Sequence, residues 1–216
     1  MSWLPLFNSF SLFLLLVSAI LWKLSGLAVF VCLMVLGCVY LWVETKGRVI
    51  FHFLDSFWMF ILSEVIAFCS LLTCTLWFEV PQVEALSHFS EIPLFGCFLL
   101  LGSSITATAY HYTADRAAVS GAHILATLGL GCGFVLLQLV EFSECTTTIL
   151  SSVYHACCFA TVGLHFMHVV IGIGLITWLF FISMSGIPHF YDNLIIWYWH
   201  FVDYIWLLVY TVVYLC

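Results

Sequence analysis

Long apolar runs alternate along this chain with short polar interruptions. A helix needs about 20 residues, at about 1.5 Å each, to cross a hydrocarbon core, and most of the runs come close to that length or exceed it. Barrel strands would alternate polar and apolar positions over about 10 residues, and these runs are continuous instead. Unpaired backbone is too costly in lipid to allow a third solution. The pattern predicts an all-α, polytopic membrane protein with seven spans.

The first span is predicted over about Leu6 to Trp22 and the second over about Leu27 to Val43, with a tight turn at Lys23 to Gly26. The charged segment Glu44-Thr45-Lys46-Gly47-Arg48 ends this pair. The third span covers about Asp55 to Phe78 and contains Glu64. An acidic loop with Pro81 and Pro93 leads to the fourth, about Leu94 to Tyr112. Small residues fill 102–109, which favours close backbone packing. The fifth covers about Val119 to Phe142, with Gln138 and Glu141 at its far end. The sixth, about Ser152 to Ser183, is long enough to tilt or overhang and holds His155, His165 and His168. The seventh begins at about Leu194. Lys46, Arg48 and Arg116 fall on one side and Lys23 on the other, so the positive-inside rule puts the N-terminus on the cytoplasmic or matrix side.

Composition sharpens this picture. Of 216 residues, 65% are hydrophobic and 7% charged, with mean hydropathy +1.21, whereas a soluble domain carries about 25% charged residues. Little of the chain is expected outside the bilayer. The net charge of −7 comes from four cations against eleven acids, and no basic patch suits nucleic acid. Ten cysteines lie mostly in apolar runs without a C-x-x-C, which reads as small buried hydrophobes rather than disulfides or a metal site. No cleavable signal or Arg-rich transit peptide precedes the first span, so insertion beside the membrane or through the first helices is expected.

The polar residues within spans carry the functional argument, because charge at the bilayer centre costs about 2.5–3.5 kcal/mol on insertion scales. The run 197–206 holds His200 and Asp203 among three Trp and two Tyr. Three apart, His200 and Asp203 share a helix face. Counting inward from the span ends puts Glu64 and Asp203 roughly 14 Å deep and His200 roughly 9 Å; His165 and His168 lie roughly 20 and 24 Å from the other side. These five residues define a buried polar layer across the third, sixth and seventh spans. Three readings follow: a proton relay built on Glu64 and the histidines, a haem or metal held by histidines, or a hydrogen-bonded network that fixes helix register. Glu79, Glu84, Glu91, Glu141 and Glu144 read as a solvated rim near the outer boundary. No G-x-S-x-G, H-E-x-x-H or P-loop is present.

Several motifs in order carry a family resemblance. They are Phe60-Ile61-Leu62-Ser63-Glu64-Val65, Leu137-Gln138-Leu139-Val140-Glu141-Phe142, the stretch from Phe159 to Gly172 with its His165-x-x-His168 pair, His189-Phe190, and Trp197-Tyr198-Trp199-His200-Phe201-Val202-Asp203. Together they resemble the cytochrome c oxidase subunit III family of haem-copper oxidases. The match covers the third to seventh spans and extends to the first two only in kind. Phe166 stands where the family has a glycine, Asn193 where it usually has a glutamate, and Ser151-Ser152 where it has Asp-Gly. The connection before the third span is short and lacks the family's Gly-x-His-Thr stretch.

The resemblance implies a two-helix hairpin, residues 1–50, splayed from a five-helix bundle, residues 51–216, with phospholipid in the cleft. It implies no redox centre in this chain: haem a, haem a3 and copper belong to partner subunits, and the chain packs on catalytic subunit I. It implies the mitochondrial inner membrane, or alternatively a bacterial plasma membrane. Candidates for the lipid cleft or subunit interface are Trp42, Arg48, Trp58, Gln138, Glu141, Trp197 and Trp199. Glu64 is expected to pair with His168, or else with His165, and His200 and Asp203 to brace the layer. A quinol oxidase subunit and a haem-binding membrane anchor stand as alternatives.

Overall fold

The computed structural model describes residues 3–46, 54–79, 86–113, 117–183 and 189–215. Every regular element among them is helical: α1 Leu4–Ile20, α2 Leu24–Thr45, α3 Leu54–Phe78, α4 Ile92–Thr113, α5 Ala117–Glu144, α6 Val153–Ser183 and α7 His189–Tyr210. A five-residue π-helical stretch, Thr211–Leu215, continues α7. Six helices, α2 to α7, are long and apolar enough to cross a membrane, while α1 has 17 residues and falls short of the others. Arg48 and Arg116, which the orientation argument uses, lie outside the described residues.

The chain divides into two compact units, Met1–Phe53 and Leu54–Cys216. In the first, α1 opens with a proline in its first turn, where the missing N–H costs nothing. Its end is a Schellman motif: the Lys23 N–H donates to the Ser18 carbonyl at 3.0 Å and the Trp22 N–H to that of Ala19 at 3.2 Å. Trp22 takes the left-handed position, φ 51°, where glycine is usual. The turn is therefore Leu21 to Lys23, and Gly26 lies inside α2 rather than in the turn. A Cβ on Gly26 would run into the Ser18 side chain, so glycine here sets how closely α1 and α2 approach.

In the second unit α4 lies against α5 and α7, and α6 lies against α3, α5 and α7. The last helix is thus the common neighbour. Its Trp199 and Trp206 are the largest fully buried side chains. Helix α7 starts at His189, earlier than the apolar run that begins near Leu194. The extra first turn is polar, and Asp192 within it suits the positive end of the helix dipole. Helix α6, with 31 residues, is about 46 Å long and overshoots a hydrocarbon core of about 30 Å.

Candidate functional site

The helix contacts bring Glu64 of α3 against His168 of α6, with Oε2 and Nε2 3.1 Å apart. The other ring nitrogen decides the proton count. Nδ1 of His168 lies 2.8 Å from the Leu164 carbonyl oxygen, which can only accept, so Nδ1 carries hydrogen. Nε2 then either carries a second proton facing a carboxylate, or is bare and accepts one from a protonated Glu64. Either state makes the 3.1 Å contact a hydrogen bond. The Tyr198 hydroxyl donates to the His168 carbonyl at 3.2 Å, and the Phe68 ring meets the imidazole edge-on. The pair lines an apolar groove of about 580 Å³, whose walls include Phe57, Phe60, Ile171 and Trp178.

His165 points elsewhere. Its Nε2 donates to the Val202 carbonyl at 3.1 Å, and its ring packs in a cluster with those of Phe134 and Trp206. His200 faces α4: Nδ1 is 2.6 Å from the Ser104 hydroxyl and Nε2 is 3.3 Å from that of Thr108. Asp203 is 1% exposed, and neither carboxyl oxygen has a hydrogen-bond partner among the described residues. The five polar residues therefore form one pair, Glu64–His168, and three separate single residues rather than one connected layer. Among the described residues no three His, Cys, Asp or Glu side chains gather into a group able to hold a metal ion.

The remaining candidates divide by exposure. Trp58 and Trp197 are half-exposed, with ring centroids 5.5 Å apart and Phe57 beside both. Exposed Trp42 carries the Lys46 ammonium over its ring at 5.1 Å. Arg48 lies outside the described residues. Three expectations need correcting. Trp199 is interior, 1% exposed, with its indole N–H donating to Ser103 at 2.9 Å. Gln138 is interior too, and Glu141 is not a solvated rim but 4% exposed. Glu141 accepts from the Gln138 amide and from the Ser87 hydroxyl, each at 2.6 Å. The segment at 86–91 covers this carboxylate and removes it from water.

Sequence reasoning misses Tyr198, Ser87, Ser104 and Thr108. The 104/108 spacing was the available signal: two hydroxyls four apart lie on one helix face within reach of a neighbouring histidine.

A family model described as cytochrome c oxidase subunit III matches residues 1–216. Proteins named cytochrome c oxidase subunit 3 are among the similar chains. That of Lemur catta is 34% identical over 172 residues, covering 76% of this chain and 61% of its own length. That of Anopheles gambiae is 35% identical over 177 residues, covering 76% and 64%. That of Heterololigo bleekeri is 38% identical over 140 residues, covering 62% and 53%. The chain thus spans between half and two thirds of the length of these relatives. With the motifs on α3, α5, α6 and α7 and a family match along its whole length, the chain belongs to the cytochrome c oxidase subunit III family.

Proposed function

We propose that this chain acts as the non-catalytic core subunit III of a proton-pumping cytochrome c oxidase in the mitochondrial inner membrane, with its N-terminus on the matrix side. The complex passes electrons from cytochrome c to oxygen. The haems and copper sit on partner subunits, and this chain packs against the catalytic one. Phospholipid acyl chains lie against the groove beside Glu64. The role of the chain is to hold lipid beside the catalytic subunit and to support oxygen access and sustained proton uptake there.

The single observation that carries this reading is the Glu64–His168 contact at the edge of an apolar groove. The groove suits hydrocarbon tails. The pair keeps an intramembrane carboxyl satisfied beside them, since an unpartnered charge at that depth would be expensive. His165 is taken up by the Val202 carbonyl and His200 by Ser104 and Thr108, which fits a chain that positions lipid and protein.

Purification from the native membrane in mild detergent tests the reading. Reduced-minus-oxidised spectra are recorded for the complex and for this chain after dissociation. Haem a in the complex and no haem on the separated chain is the expected result. Haem retained by the separated chain overturns it and makes the histidines ligand candidates.

A further inference from the structure

We infer that the outward face shared by α4 and α7 seats a transmembrane helix of another polypeptide, one that presents a hydrogen-bonding side chain to the Tyr204 hydroxyl at mid-bilayer. This rests on the reading of the chain as a subunit of a larger membrane complex.

Tyr204 is 61% exposed and lies in the span Asp192–Leu215. Twelve residues separate it from one end and eleven from the other, so it sits about 18 Å and 17 Å from them. At that depth its ring is too short to carry the hydroxyl to either interface. Outward hydroxyls elsewhere bond to their own helix: Ser63 to the Phe60 carbonyl, Ser70 to Ala67, Thr73 to Cys69 and Thr211 to Leu207. A tyrosine hydroxyl stands too far from its own backbone to do so. Among the described residues it has no hydrogen-bond partner, and its ring stacks on His200 with centroids 6.4 Å apart. His200 is itself occupied by Ser104 and Thr108.

The occupant follows from this chemistry. An acyl chain offers no acceptor, and a lipid headgroup does not reach mid-bilayer. A water-filled path is disfavoured by the flanks, where Leu101, Ile105 and Leu208 are exposed and apolar. A helix with an apolar body and one polar side chain meets both conditions.

The test uses the intact complex, by high-resolution imaging after mild-detergent purification and by the variant Tyr204→Phe, which keeps the ring and its stacking. The expected image places a helix of another polypeptide within hydrogen-bond distance of the Tyr204 hydroxyl. Tyr204→Phe should then leave the complex in detergent roughly three-fold faster than wild type or more, and Tyr112→Phe, at the exposed end of α4, should not. Lipid against Tyr204, a second copy of this chain there, or wild-type retention of Tyr204→Phe overturns the inference and leaves the functional reading standing. A chain that co-purifies with no oxidase removes both.

Discussion

Trp199 lies where two helices are cut back to receive it. A Cβ on Gly172 would come within 2.8 Å of its ring, and one on Gly131 within 2.9 Å. Both positions tolerate only hydrogen while the indole is there. Gly172→Ala should therefore destabilise the chain by about 1–3 kcal/mol, as overpacking does. The cost should shrink when Trp199→Phe is present, because the smaller ring vacates part of the notch. Detergent-denaturation midpoints of the two single variants and the double variant measure this coupling, and strict additivity would contradict it. The sequence shows an aromatic run but not its inner side. The resemblance groups Trp197 and Trp199 as cleft or interface candidates, and hydropathy cannot separate them, because lipid-facing and core-facing positions of a membrane helix are equally apolar. Only the glycines on two other helices, invisible as partners in the linear order, mark Trp199 as the interior one.

The end of α5 is governed by a contact between distant parts of the chain. Gln138 and Glu141 are three apart and share a face, which the spacing alone makes plain. Their burial depends on Ser87 and its neighbours folding over them, and nothing local announces that. A carboxylate counted to the end of a span reads as wet until a covering segment is known. Cys145 reinforces the cover, its thiol 3.5 Å from the Leu86 carbonyl, and the Tyr210 hydroxyl donates to the Phe89 carbonyl at 3.0 Å. Glu141→Ala would strand the buried Gln138 amide, a loss of about 1–3 kcal/mol. Amide exchange at 86–91 should accelerate in that variant and change little in α1 and α2. Equal exchange at 86–91 in both proteins would show that the carboxylate does not hold the cover. Helix existence, by contrast, is read well from the apolar runs. Most ends move by a turn or less, and α7 starts about five residues early, where its polar first turn extends beyond the buried length.

Across the whole molecule the proposed role turns on whether the Glu64–His168 proton matters or only the contact. Glu64→Gln keeps a side chain that reaches His168 but removes the exchangeable carboxyl proton. Glu64→Ala removes both. Co-purifying phospholipid should fall in Glu64→Ala and stay near wild type in Glu64→Gln, while turnover lifetime should shorten in both. Phosphate analysis and the decay of oxygen consumption during turnover measure the two effects. Unchanged lipid and lifetime in Glu64→Ala would contradict the role assigned to the groove. The motifs along the chain reveal the family, and the order of spans gives the coarse topology. The partition of the polar residues into one pair and three single residues is not visible in the sequence, because depth along a helix is readable and azimuth around it is not. One feature of the packing also bears on how the protein is made. Helix α7 leaves the ribosome after its neighbours α3 to α6, yet it carries the two largest buried side chains of the core. Until it arrives, the glycine notches on α5 and α6 lack the indole that fills them. A chain stalled before residue 189 would have made α1 to α6 and still have no finished interior.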